Sequence, residues 1–372
     1  MKARYIMTGG FLGAGKTTAI GQFGRFLAGR GLKVGLITND QGGGLVDSAL
    51  GRSRQFPVEE IAGGCFCCRF HSLLDAAHNL TAASRPDVLL AEPVGSCTDL
   101  VATVSLPLQQ IYGDEFTVSP LSVVVDPVRA RRVLGLEEGR RFSSNVSYIY
   151  LKQLEEAEAI VINKIDLVAD AELHELEQEL SIQFPQAQIF RVSARHGDGL
   201  EAWFEWALDR EMDPARIMDV DYERYAEGEA LLGWLNAAVS VEHPDGEEFD
   251  GNALLSTLAQ SLHEAVRNEG VEVAHLKMTL NPLGDPLEVA AISLVRSDHR
   301  AELSHQLADP LEAGEILLNI RCEAAPDLLD RLTREALQAV VGGRFGLDFR
   351  ETHREHFRPG KPVPTHRATS VR

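Results

Sequence analysis

The sequence predicts an α/β protein: a mostly parallel sheet with helices on both faces, followed by a smaller C-terminal α+β domain. Three observations predict it. Short runs rich in Val, Ile and Leu alternate with helical patterns through the first two hundred residues. A glycine-rich turn, "GGFLGAGKTT", joins the first run to the first helical pattern. After an acidic stretch the pattern restarts with a different order of elements.

The runs Ala3–Thr8, Lys33–Thr38, Asp87–Ala91, Leu121–Asp126, Ala159–Asn163 and Gln188–Ser193 read as strands. Their continuous apolar character fits strands covered on both faces, whose ligands sit beyond the carboxyl ends. Residues 1–208 are expected to form this domain. The stretch 209–229, polar, acidic and carrying Pro214, reads as a linker. From 230 to 345, "GWLNAAVSVE", "VEVAHLKMTL", "LEVAAISLVR" and "GEILLNIRCEA" read as strands. "NALLSTLAQSLHEAVRNEG" and "PDLLDRLTREALQAVVGG" read as helices, which together describe an α+β domain. Residues 346–372 read as a solvated basic tail. From Arg344 onward there are seven Lys and Arg against three Asp and Glu.

The formal charge of −19 argues against a general nucleic-acid or anionic-membrane binder, both of which need basic surface. The apolar N-terminal run is broken by four glycines and holds Lys16, which a secretory h-region does not tolerate. A cytoplasmic location is expected, where thiols stay reduced.

Gly10, four residues, Gly15, Lys16 and Thr17 match the phosphate-binding loop, with a strand before and a helix after. This places the domain among the P-loop NTPases. Gly10, Gly13 and Gly15 let backbone N–H groups turn inward on the phosphates without a Cβ clash. Lys16 would reach the β/γ-phosphates and Thr17 would ligate Mg²⁺. In "VINKIDL", Asn163, Lys164 and Asp166 give the N-K-x-D pattern of guanine recognition. A carboxylate can accept from both N1–H and the exocyclic amine of guanine, and adenine offers no such pair. Lys164 packs its stem along the base, and Ser193 and Ala194 in "VSARHG" form a second base-edge loop. GTP is therefore the expected nucleotide.

Glu92, ending the strand in "DVLLAEPVGS", is the expected second Mg²⁺ ligand, because a hard cation wants oxygen donors. Gly95 then gives the backbone room beside the γ-phosphate. In "ITNDQGGGLVDSAL", Asp40 and Asp47 flank Gly42–Gly44, a loop suited to sensing the γ-phosphate through an order–disorder change. Either acid is a candidate to orient the attacking water.

Three of the chain's five cysteines stand in "GGCFCC" as Cys65, Cys67 and Cys68. Three readings are open: buried small hydrophobes, a dithiol redox pair, or three thiolate ligands for a soft or borderline metal. In the last reading Glu59, Glu60, Asp40 or His71 are candidates to complete the site. Cys97 and Cys322 read as core residues, with Cys97 a minor candidate for an added ligand.

Taken in order, "GGFLGAGKTT", "NDQGGGLVDSAL", "GGCFCC", "EPVGS" and "NKID" resemble the CobW-type GTPases, relatives of the nickel-insertion GTPases of hydrogenase and urease maturation. The resemblance covers about residues 3–207. It implies slow GTP hydrolysis with Mg²⁺, coupled to binding and delivery of Zn²⁺, Co²⁺ or Ni²⁺. It also implies a client metalloprotein or cofactor-assembly enzyme and nucleotide-dependent homodimerisation. By matching position, the resemblance implies that Cys65, Cys67 and Cys68 are the metal cysteines, that Gly13, Ala14, Gly15, Lys16, Thr17 and Thr18 form the phosphate cradle, and that Asn163, Lys164 and Asp166 bind the base. The chain departs from the family's usual patterns at Asp40–Gln41, where Glu-Phe is common, and at Pro93, where Ser or Thr is common.

Overall fold

A computed structural model describes residues 2–39, 56–61, 63–213, 217–284 and 288–369. They fall into two compact units, one drawn from 2–39, 56–228 and 361–369, the other from 229–360.

The first unit holds the strands β1 (Ala3–Gly9), β2 (Val34–Asn39), β3 (Val58–Ile61), β4 (Val88–Glu92), β5 (Phe116–Val118), β6 (Ser122–Val125), β7 (Ala159–Ile162) and β8 (Gln188–Arg191). Their order across the sheet is β3-β2-β4-β1-β6-β7-β8, with β5 also on β1, and every pairing is parallel. Each of the six expected strands is present to within two residues at either end. β3 and β5 are additional; each is short, and β3 shows no clear alternation of buried and exposed residues.

The central strands are apolar because helices cover both faces. β1, β4, β6 and β7 are almost wholly buried. Against one face, Phe23 of helix Lys16–Gly29 stacks on Phe204 of helix Leu200–Asp209 at 4.1 Å. Trp203 beside it is fully buried and donates from Nε1 to the Ser122 hydroxyl, so its one polar atom is satisfied. This packing fixes the first helix over the sheet and, with it, the loop that precedes the helix.

The segment 209–229, read from sequence as a linker, contains most of the helix Tyr222–Leu231. The second unit is an antiparallel sheet of β9 (Leu232–Glu242), β10 (Val273–Pro282), β11 (Ala290–Leu294), β12 (Glu302–His305), β13 (Ala313–Glu323) and β14 (Asp348–Phe357), in the order β12-β11-β10-β13-β9-β14. Helices Gly251–Asn268 and Pro326–Leu337 share one core with it, through Leu254, Leu258, Leu262, Leu329 and Leu337. The stretch read as a basic tail divides in two: Asp348–Phe357 is a strand paired to β9, and 361–369 belongs to the first unit. Among the described residues no helix is long and apolar enough to cross a membrane.

Leu258 is fully buried at the centre of the second core. Leu258→Ala is expected to cost about 2–5 kcal/mol, measured as a lower urea midpoint with an unchanged slope.

Candidate functional site

The loop Gly10–Gly15 connects β1 to the first helix. That helix has no side-chain cap at its N-terminus, and its positive dipole end faces the loop. Gly15 occupies the N-cap at φ 94°, and a Cβ there would lie 2.4 Å from the Asn163 carboxamide nitrogen. Both conditions require glycine. Lys16 is buried and its ammonium donates to the Gly10 carbonyl at 2.8 Å, folded back along the loop it serves. The Thr17 hydroxyl donates to Glu92 Oε1 at 2.8 Å, which brings the two expected Mg²⁺ ligands from β4 and the first helix together. Thr18 follows on the same helix.

Asn163 follows β7 and is 2 % exposed. Its amide nitrogen donates to the Ala14 carbonyl, and its oxygen accepts from the Ala194 N–H, both at 2.9 Å. One side chain thus ties the phosphate loop to the Ser193–Ala194 loop. Lys164, at φ 58°, donates to the Gly13 carbonyl at 2.7 Å and pairs with Asp126 at 2.9 Å. Asp166 accepts from the Ser193 hydroxyl at 2.6 Å, and the imidazole of His196 lies 3.8 Å from its other oxygen. Asp126 was not singled out from the sequence. It ends β6 and caps the helix Pro127–Val133 through the Arg129 N–H. The signal was available in "VVVDP": a strand ending in an acid before a proline-led helix.

Beyond Glu92 the chain runs back over the phosphate loop. A Cβ on Gly95 would lie 2.8–2.9 Å from the Leu12 side chain, the Leu12 amide nitrogen and the Lys16 ammonium, so only glycine allows this approach. Gln153 donates to the carbonyls of Gly95 and Cys97, at 3.0 and 2.8 Å, and holds the loop from behind.

β3 leads through Gly63 and Gly64 into a turn closed by Cys68 N–H and Arg69 N–H on the Cys65 carbonyl, and then into helix Phe70–Ser84. The turn brings the three sulfurs together: Cys65 Sγ to Cys67 Sγ 2.9 Å, to Cys68 Sγ 3.1 Å, and Cys67 Sγ to Cys68 Sγ 3.7 Å. Asn39, ending β2, donates to the carbonyls of Ile61 and Gly64 and clips this loop to the sheet. Cys65 and Cys67 are buried and Cys68 is half-buried; all five cysteines are free thiols. Among the described residues, these three form the group of close-set metal-ligating atoms, and Glu59, Glu60 and His71 stand outside it. Asp40, Gly42–Gly44 and Asp47 lie outside the described residues.

The three thiols shift one another's proton affinity in opposite directions. Hydrogen bonds from Cys67, then Cys68 and Cys97, hold the Cys65 thiol well below its usual range. The hydrogen bond to Cys65 pushes Cys67 well above that range and moves Cys68 up to about 11. Cys97 is the residue the sequence placed in the core. It is buried, and it also joins the cysteine cluster to the loop that starts at Glu92.

Residues 4–191 match the family described as CobW/HypB/UreG, nucleotide-binding domain. The chain belongs to this family. It is 24 % identical over 213 residues to the zinc-regulated GTPase metalloprotein activator 1 of Dictyostelium discoideum, a match covering 49 % of this chain and 44 % of that protein. The matched stretch is thus under half the length of that curated relative. Among solved structures, HypB from Helicobacter pylori in complex with nickel aligns with 18 % identity and TM-score 0.41, over 56 % of this chain and 86 % of that one. Zn(II)-bound YjiA GTPase from E. coli aligns with 16 % identity and TM-score 0.38, over 91 % and 99 %.

Asn163→Ala is expected to leave the Ala14 carbonyl and Ala194 N–H of this nucleotide-binding domain unpaired, at about 1–3 kcal/mol for each group. Chemical denaturation of the variant against the wild type measures it.

Proposed function

We propose that this chain is a GTP-hydrolysing metallochaperone that binds Zn²⁺, Co²⁺ or Ni²⁺ at Cys65, Cys67 and Cys68 and passes it to a client metalloprotein or cofactor-assembly enzyme. One observation carries the reading. The three converging sulfurs are hydrogen-bonded through Cys97 to the same loop that leaves Glu92 and packs on Lys16. The proposed metal site and phosphate site then share one connecting element, which is what nucleotide-controlled metal transfer requires. The names of the Dictyostelium relative and the two aligned structures, with their GTPase, zinc and nickel terms, are consistent with it.

In this reading the N–H groups of Gly13 to Thr18 and the Lys16 ammonium hold the triphosphate. Lys16 turns from the Gly10 carbonyl toward the β/γ-phosphates when they arrive. Thr17 and Glu92, an all-oxygen pair already in contact, fit Mg²⁺. When bound, that ion neutralises phosphate charge. Asp166 accepts from the guanine edge while Ser193 steadies its carboxylate, and Lys164 lies along the base, held by Asp126. Ala194 supplies the second base-edge loop, anchored on Asn163. Gly95 gives the loop its freedom near the γ-phosphate. Asp40 remains the proposed residue for orienting water. Pairing of two copies across the nucleotide face when GTP is bound is part of the same proposal.

The metal is cargo. A divalent ion needs thiolates, so binding displaces the protons of Cys67 and Cys68. Both thiols are held protonated at neutral pH, so affinity rises as pH rises, by about 100-fold per unit near neutrality for two protons released. Chelator competition with Zn²⁺ at pH 7 and pH 8 measures this slope. Cys67→Ala should reduce it to about tenfold and weaken binding by about 100-fold or more. An affinity unchanged by the substitution removes the cysteines from the site.

Guanine selection is tested at Asp166. Asp166→Ala is expected to weaken GTP binding by about 100-fold while leaving the weak binding of ATP unchanged, read by fluorescent-nucleotide titration. Equal loss for both nucleotides would place Asp166 in the scaffold instead.

A further inference from the structure

Residues 363–365 lie on the cysteine turn. After the second unit closes, residues 361–369 rejoin the first unit as an extended segment without helix or strand. Lys361 pairs with Glu223. The Val363 N–H donates to Cys68 Sγ at 3.3 Å, while the Val363 side chain is 72 % exposed. The Thr365 N–H donates to the Cys67 carbonyl at 2.8 Å, and its hydroxyl reaches the Cys68 carbonyl at 3.3 Å. The His366 ring stands edge-on to Phe70 with centroids 4.9 Å apart. Arg367 pairs with Asp99 at 2.7 Å and donates to the Met218 carbonyl at 3.1 Å. Last, the Ala368 N–H donates to the Ala102 carbonyl at 2.9 Å.

Two features make this more than a draped terminus. The backbone of the segment bonds to the backbone and sulfur of the cysteine turn itself, so it covers Cys67 and Cys68. Pro362 and Pro364 flank Val363 and pre-set its neighbours' φ, which lowers the entropy lost on docking. The anchor at the other end is equally specific. Asp99 is 1 % exposed, sits at φ 65°, and receives both the Arg367 guanidinium and, at 2.6 Å, the Tyr222 hydroxyl. A buried carboxylate in a left-handed conformation at the end of the Glu92 loop is held where it is by these partners.

We propose that residues 361–369 form a strap over the cysteine cluster, clasped by the Arg367–Asp99 ion pair, and that movement of the Glu92–Asp99 loop during nucleotide turnover releases the strap and opens the cluster for transfer. The cover is a fact of the fold; its use in metal transfer rests on the reading under Proposed function. Strap down, the sulfurs are shielded and cargo is retained. Strap up, the carbonyls of Cys67 and Cys68, the ring of Phe70 and Cys68 Sγ are presented together to an acceptor.

The test uses thiol alkylation of the metal-free full chain, the chain ended after Gly360, and Arg367→Ala, with iodoacetamide at fixed pH and the modified cysteines assigned by mass spectrometry. Cys68 should react about tenfold faster in both altered proteins, with Arg367→Lys intermediate because it keeps the charge but loses the forked contact. A synthetic peptide of residues 359–369 should slow the reaction of the shortened chain again. Where nucleotide drives the strap, wild-type alkylation differs between GDP and a non-hydrolysable GTP analogue, and the shortened chain shows no such difference. Zinc transfer to a chromogenic chelator, read in parallel, should accelerate in the same variants. Circular dichroism confirms that Arg367→Ala, a substitution at a partly exposed side chain, folds as wild type. Equal Cys68 rates in all three proteins overturn the strap, and equal wild-type rates in both nucleotide states overturn its coupling to the loop. If wild type takes up no zinc while the alkylation rates still separate, the metallochaperone reading fails and the cover stands.

Discussion

The carboxamide of Asn163 is the contact on which the nucleotide end of this fold depends. It donates to the phosphate loop at Ala14 and accepts from the base-edge loop at Ala194, from a position sealed from water. Buried amide groups must be paired, so these two loops have no freedom to separate while Asn163 keeps both bonds. Gly15 is shaped by the same contact, since any Cβ there would strike the carboxamide. Lys164 repeats the connection one residue later, joining Gly13 to Asp126. Three strand ends, β1, β6 and β7, are thereby held in register along one edge of the sheet.

The cysteine cluster obeys a different constraint. Three sulfurs within 3.7 Å of one another cannot each carry a charge in a largely buried turn, so ionisation is favoured at Cys65 and opposed at Cys67 and Cys68. The three ligand atoms are already gathered within one turn. Asn39 and Cys97 connect this turn to the sheet on two sides: Asn39 from the end of β2, Cys97 from the loop after β4. The strap from the C-terminus meets the turn on a third side. Topology therefore places the cluster at a junction of loops, one of them the loop that leaves Glu92.

Much of this was legible in the chain because the decisive features are local. The glycines, Lys16 and Thr17 sit within one strand–turn–helix, and their chemistry needs no distant partner to be read. N-K-x-D and Cys-x-Cys-Cys are likewise contiguous, and the helices around them keep a clear period. Other features escaped for physical reasons. β3 and β5 are only four and three residues long, too short to show a period. The helix Tyr222–Leu231 was hidden in an acidic stretch whose burial comes from neighbours, among them the Tyr225 hydroxyl accepting from the Thr98 N–H. A basic ending suggested a solvated tail, yet charge along a chain does not disclose that Arg367 finds a buried Asp99 or that Asp348–Phe357 completes a sheet.

The sequence by itself determined the parallel α/β class, the glycine-rich loop before the first helix, the N-K-x-D pattern and the three clustered cysteines, because each is set by residues adjacent in the chain. Only the tertiary structure decided that Asp126 holds Lys164, that Cys97 bridges the cluster to the Glu92 loop, and that Val363 and Thr365 cover the cysteine turn. Those contacts join positions tens to hundreds of residues apart. They exist because the parallel sheet brings its strand ends to one edge, and a linear pattern carries no record of which side chains meet there.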